Sequence, residues 1–170
     1  LSQSANVGIV GPIEVGDAKL YVDGFAAGVM AQNPSATVNI NYIDSFSDVA
    51  LASEAAQSLI SAGADVMSGT AQMTVGAVGV AKTEDVLWFG TQSNQTSLAP
   101  EIVVASQVYH WENMLNEMIG KIKDGTLGGE LYEITFANEG LVIEYNEDYD
   151  LPDDVKQIGD DAIKAFEDEG

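Results

Sequence analysis

DVALASEAAQSLISAGADVMSG, Asp48 to Gly69, holds one complete helix-to-strand unit. Asp48 carries a side-chain acceptor for first-turn amides and so can cap a helix. Leu51, Ala55, Leu59 and Ile60 follow at helical spacing, to about Ala62. Gly63 stands at the C′ position, where a left-handed backbone is needed. ADVMSG then reads as a short buried strand. The flanking chain repeats the alternation. On the amino-terminal side, NVGIVG (6–11) is a β-branched run ending in Gly-Pro, a helix spans Asp17 to Gln32 until Asn33-Pro34 stops it, and VNINYI (38–43) alternates as a strand. On the carboxyl-terminal side, a short helix from Thr74 to about Lys82 precedes the strand VLWFG. A β-α-β-α-β-α-β order implies parallel strands joined by right-handed crossovers. The expected fold class is α/β, a doubly wound, mostly parallel sheet with helices on both faces.

Beyond this unit come the strand IVVASQV, a helix from about Trp111 to Lys123, and a pair of strands, ELYEITF and GLVIEY, linked by a hairpin turn at Ala137-Asn138-Glu139-Gly140. A last helix begins near Pro152, introduced by the acidic run EDYDLPDD (147–154), which suits the positive end of a helix dipole.

Composition narrows the function. The chain has 170 residues and 46% hydrophobic content, enough for one buried core, and no apolar run long enough to cross a bilayer. Its formal charge is −21, with no arginine, which excludes nucleic acid and disfavours phosphate-rich ligands. Such an acidic surface is one expected solution to a high-salt habitat. The absence of cysteine removes disulfides, thiolate metal sites and thiol catalysis.

Specific chemistries fare no better. Glycines at 8, 11 and 16 form neither a dinucleotide fingerprint nor a Walker loop. His110 is the sole histidine, no GxSxG elbow is present, and the acids at 147–154 lack calcium-loop spacing. No catalytic group, metal or cofactor is expected.

Ligands of open parallel sheets bind outside the carboxyl ends of the strands. Here those ends are Gly11–Asp17, Ile43–Asp48, Gly69–Thr74, Gly90–Asn94 and Ser106–Trp111. The fourth lies in FGTQSNQTSLAP (89–100), an uncharged loop rich in amides and hydroxyls. It reads as a binding edge, as a glycosylation acceptor at the Asn94-Gln95-Thr96 sequon, or as an ordinary turn. Phe46, Tyr109 and Trp111 stand at strand ends, where aromatic rings either sandwich a planar or sugar-like ligand or simply cover the sheet edge.

Taken together these stretches resemble the basic membrane protein family of ABC-transporter substrate-binding proteins, which have the type I periplasmic-binding fold. DGFAAGV (23–29) is similar to that family's GF-x-x-G helix, NYIDSFSD (41–48) to its segment with Ser, an aromatic and Asp, and EAAQSLISAGADVM (54–67) to its helix ending in Gly-Ala-Asp. LAPEIVVASQV (98–108) and KIKDGTLGG (121–129) are similar to two further family segments, in the same order. The resemblance covers nearly the whole chain but about half of a family member, the second of two lobes that close on a ligand.

It implies an extracytoplasmic protein, a lipoprotein in its full-length form, that delivers a small molecule to a membrane permease. It implies residues 1–110 as the core of the ligand-binding lobe and residues 111–170 as a crossover helix, hairpin and final helix completing or bridging the lobes. In the family the helix matching Trp111–Lys123 lies with the first lobe, so Met114, Leu115, Met118 and Ile119 would face solvent, the missing first lobe or a second copy. Position by position, Asp17, Phe46 and Ser106 fall at site positions of the family. Gln92 and Asn94 replace two carboxylates of nucleoside-binding members, and Tyr109 replaces a lysine. Together with Trp111 these residues form the expected ligand site, neutral and rich in amides and aromatics, for a small neutral ligand, nucleoside-like or otherwise. The same fold also serves sensory domains of receptors and transcriptional regulators, the alternative to transport.

Overall fold

The structure, a computed structural model, describes residues 1–169. Its helices and strands follow the alternation expected from Asp48–Gly69. The Asp48 carboxylate accepts from Leu51 N at 3.0 Å and opens α2 (Val49–Ser61). At its other end Gly63 has φ +98°, with Gly63 N bonded to Ile60 O (2.8 Å) and Ala64 N to Leu59 O (3.2 Å). This is a Schellman ending, which turns the chain into β3 (Val66–Gly69). Around it lie β1 (Asn6–Gly11), α1 (Gly16–Gln32), β2 (Thr37–Tyr42), α3 (Thr74–Thr83), β4 (Leu87–Gly90) and β5 (Val103–Tyr109). A single 3-10 turn, Thr96–Leu98, lies between β4 and β5.

The sheet order is β2-β1-β3-β4-β5-β6, with all pairs parallel except the last. The chain steps from β1 to β2 in one direction and from β2 to β3 in the other. The switch point, where such sheets open a crevice, therefore lies between β1 and β3. One face carries α2 and α3 over Val10, Met67, Trp88 and Val103, all fully buried. Gly76 lets α3 approach α2, because a β-carbon there would run into the Val49 carbonyl. The other face carries α1, whose Phe25 ring lies 6.0 Å from Phe89.

Past β5 come α4 (Trp111–Lys123), β6 (Leu141–Tyr145) and α5 (Asp153–Glu169). Here one expectation fails. ELYEITF forms no strand, and GLVIEY does not pair with it. Instead β6 adds antiparallel to β5, from Ala105↔Tyr145 to Tyr109↔Leu141. The open edge of β5 offers a full ladder, whereas residues 130–136 would form only an isolated hairpin, which is marginal in water. The Asn138 turn does form. Its amide donates to Glu133 O (2.8 Å) and its carbonyl oxygen accepts from Thr135 N and Gly140 N (both 3.0 Å), which holds the preceding run in an irregular path.

Candidate functional site

The five parallel strands present their carboxyl ends on one edge, and backbone hydrogen bonds tie the loops there to one another. Ser45 N donates to Pro12 O (3.2 Å), Met73 N to Phe46 O (3.1 Å) and Tyr109 N to Gln92 O (3.3 Å). Asp44, Ala71 and Gln92, in the loops after β2, β3 and β4, have φ of +56°, +79° and +70°. For residues with a β-carbon the left-handed region costs about 1–2 kcal/mol each. Such strain collects where surrounding structure dictates backbone direction.

α1 reaches over the α1-side face of this edge. Tyr21 is half-buried beneath it, its hydroxyl 2.7 Å from Ser68 Oγ, while Ser68 donates to Phe89 O at 2.9 Å. Burial pushes the Tyr21 phenol up to about 12. Asp17 precedes Tyr21 by four residues, on the same side of the helix, and is exposed in its first turn. In the loop after β4, Thr91 donates to Gln107 Oε1 at 2.8 Å. The Tyr109 and Trp111 rings lie 5.3 Å apart at 51°, with Trp111 half-exposed. Gln92, Tyr109 and Trp111 are thus neighbours on the edge, and Asp17 stands in the first turn of α1.

The other expected residues lie elsewhere. Phe46 stands half-exposed in the loop after β2, its backbone tied to the start of α3. Ser106 is buried, and its hydroxyl oxygen accepts from Gln95 N at 3.0 Å. It faces the α2–α3 side with Gln95, whose side chain accepts from Trp88 Nε1 (2.7 Å) and donates to Thr91 O (3.0 Å). Asn94 accepts from Thr96 N (2.9 Å) and donates to Glu144 (2.6 Å), so both ends of its amide already have partners. It lines a groove of about 610 Å³ with Glu144, Asn146 and Lys156, to the side of the edge. A second hollow, about 350 Å³, lies between α4 and residues 131–140.

Sequence reading missed Tyr21, Ser68, Thr91 and Gln107. Thr91 and Gln107 are the chain neighbours of Gln92 and Ser106, but only the approach of the loop after β4 to β5 reveals their contact. Gln107 Nε2 is buried with no acceptor among the described residues. An unmet buried donor costs about 1–3 kcal/mol.

The electrostatics of the edge are one-sided. Glu14, Asp44 and Asp48 stand in its loops and Asp17 in the first turn of α1, and Lys19 is held by Glu14 (3.3 Å) and Asp23 (3.1 Å). Among the described residues no group of three His, Cys, Asp or Glu side chains is placed to hold a metal ion. His110 Nδ1 lies 3.0 Å from Glu139 O and Nε2 3.8 Å from Glu144, with no serine or threonine in that array. What the edge offers is hydrogen bonding and aromatic contact.

The whole chain, residues 1–170, matches the family described as Bmp, ABC transporter substrate-binding protein PnrA-like. A purine-binding protein of Brucella abortus (strain 2308) is 23% identical over 162 residues, 95% of this chain and 45% of that protein. Among solved structures, a transcriptional activator of the comK gene from Bacillus halodurans superposes with a TM-score of 0.85 at 23% identity, over 98% of this chain and 57% of that one. An ABC-transporter solute-binding protein from Conexibacter woesei DSM 14684 gives 0.74 at 22% identity, over 95% and 54%. These structural likenesses establish the fold. The chain spans about half the length of the relatives it matches.

Proposed function

The chain belongs to the Bmp family of PnrA-like ABC-transporter substrate-binding proteins, and on that premise we propose that it is the ligand-binding second lobe of an extracytoplasmic solute receptor. The family is one of binding proteins rather than enzymes. The proposed receptor captures a small neutral, nucleoside-like ligand between two lobes and delivers it to a membrane permease. In its full-length form it is anchored as a lipoprotein, and its acidity suits a high-salt environment.

The observation that supports this reading is the backbone tie of Tyr109 N to Gln92 O at the carboxyl edge (3.3 Å), with Asp17 at the start of α1, the helix that carries Tyr21 to Ser68. Asp17 accepts hydrogen bonds from a diol, the Gln92 amide both donates and accepts, and Tyr109 with Trp111 offers a ring face. Phe46 borders the same edge from the α3 side. The purine-binding Brucella relative supports a heteroaromatic ligand, and the absence of an unpaired lysine in these loops argues against a phosphorylated one. Asn94 and Ser106 shape the loop after β4 from behind in this reading.

In this reading residues 1–110 form the lobe core, and residues 111–170 complete it through β6 or bridge to the other lobe through α4. Trp111, Leu115, Ile119 and Ile122 of α4 are each about half-exposed, and a first lobe is the partner this stripe fits. A lone lobe binds weakly because closure completes the site. Calorimetric titration of the full-length protein with adenosine, inosine and guanosine tests the proposal. Binding should weaken about tenfold or more in both Gln92→Ala and Tyr109→Ala. Unchanged affinity in both variants removes these residues from the site.

A further inference from the structure

The longest uncharged run in the chain extends from Gly24 to Ile43, and none of its residues is buried. It covers the second half of α1 and all of β2. In a chain of formal charge −21, so long an exposed stretch without an acid calls for an explanation. β2 is also an edge of the sheet, paired with β1 on one side and, among the described residues, with no strand on the other.

Edge strands present unpaired backbone groups, and proteins blunt them with charge, proline, bulges or short length. β2 uses none of these. TVNINY (37–42) has no charge and no proline, and its register against β1 runs unbroken from Asn6↔Thr37 to Gly11↔Tyr42. The opposite edge differs. β6 carries Glu144 within it, with Glu147 and Asp148 just beyond.

The backbone of an edge strand points outward at alternate residues. Thr37 N donates to Ala5 O at 2.8 Å and Ile43 N to Gly11 O at 3.0 Å, so the odd-numbered residues bond to β1. Val38, Ile40 and Tyr42 therefore direct their N–H and C=O groups away from the sheet. Their side chains share the face of Ile9, which pairs with Ile40. Ile40 is 41% exposed.

In an antiparallel pair, outward-directed residues must meet outward-directed residues. β2 meets that condition with itself. With Ile40 opposite Ile40, Val38 stands opposite Tyr42, and all three outward residues are bonded. Asn39 then faces Asn41, so apolar side chains meet apolar ones and amides meet amides. No charge lies in the joint, whereas acidic surface elsewhere repels a second copy. We propose that β2 is a self-recognition edge, pairing antiparallel with β2 of a second copy about a two-fold axis at Ile40. The two carboxyl edges then point in opposite directions, clear of the joint.

Sedimentation equilibrium of the full-length protein over a dilution series tests the pairing. Monomer and dimer should both appear, with the dimer about tenfold tighter at about 0.5 M salt than at about 0.05 M, because screening relieves the repulsion of like net charges. Ile40→Glu sets two carboxylates face to face and should weaken the dimer about tenfold or more. Leu98→Glu is the control, since Leu98 is equally exposed at 41% but lies in the 3-10 turn between β4 and β5. It should leave the dimer unchanged.

Disulfide capture reads the register, with the unmodified protein as the blank. Ile40→Cys should link to its own copy, since a bonded pair holds its α-carbons about 5.5 Å apart. Asn39→Cys and Asn41→Cys should link to each other when mixed and hardly at all alone. This readout stands even if Ile40→Glu fails to fold. A monomer under all conditions, a dimer that weakens as salt rises, a dimer indifferent to Ile40→Glu, or a mixture of the two Asn variants that links no better than either alone each overturns the proposal.

Discussion

Two helices of similar length divide this molecule into unlike regions. α2 buries Ala52, Ala55, Ala56 and Leu59 against the sheet and α3, and its termini are closed by the Asp48 cap and the Gly63 turn. α4 is more sharply two-sided in sequence, yet it buries no side chain, and Trp111, Leu115, Ile119 and Ile122 remain half-exposed. The contrast extends beyond the helices. Among the described residues the buried hydrophobic core lies wholly between Val7 and Val108, and the polar Asn146 is the buried side chain beyond it. Helical amphipathicity therefore shows that a face seeks a partner without showing which partner. α2 finds it in its own sheet. For α4, the length of its relatives makes another lobe the partner we propose.

Substitutions can break this contrast, beginning where the effect is largest. Trp88 is fully buried and central to the first region, so Trp88→Ala should cost about 3–5 kcal/mol in urea unfolding. A loss below 1 kcal/mol would mean that the first region is not the stabilising core. Gln95→Ala leaves Trp88 Nε1 without its acceptor (2.7 Å) and should cost about 1–3 kcal/mol, read by the same measurement. Asp48→Ala removes the α2 cap and should cost about 1 kcal/mol, with Asp48→Ser recovering most of it. Leu115→Ser in α4 should stay within about 0.5 kcal/mol when the chain is studied alone. A larger loss would show that α4 is packed in the isolated chain.

The smallest effect is a pH dependence at the amino terminus. Burial raises the Asp65 carboxyl, but hydrogen bonds from Ser2, Ser4 and Gln3 outweigh it and hold the group below the usual carboxylate range. A carboxyl depressed on folding stabilises above its unfolded value and loses that contribution as pH falls through the folded one. Asp65→Asn should therefore flatten the acid side of the stability profile and leave the slope near neutrality unchanged. An unaltered acid limb would mean that the tether of residues 2–4 contributes nothing.

Most of the architecture was legible because local signals agreed with one another. The Asp48 cap, the Gly63 turn and the Asn33-Pro34 stop fall at helix ends as expected, and the alternation of strand and helix places the carboxyl ends of the strands on one edge. ELYEITF misled because its alternating pattern satisfies a strand locally, while the better ladder for GLVIEY lay on distant β5. The individual site residues were less legible. Between Trp88 and Phe89 the register against β5 shifts, so that Phe89 faces Ala105 and Gly90 faces Ser106. This irregularity keeps Ser106 on the Trp88 side, and no spacing rule anticipates it. Asn94 was sound as a loop position, but its partner Glu144 lies 50 residues away. The Tyr21–Ser68 contact likewise exists only through the packing of α1 across the sheet.

The central claim is that the carboxyl edge on the α1 side receives the ligand. Amide chemical-shift mapping of the ¹⁵N-labelled full-length protein during titration with inosine tests it most directly. The account predicts shifts centred on Asp17, Thr91, Gln92 and Tyr109, with those in the grooves beside β6 and between α4 and residues 131–140 unmoved. Shifts centred on either groove, with the edge unmoved, would contradict it.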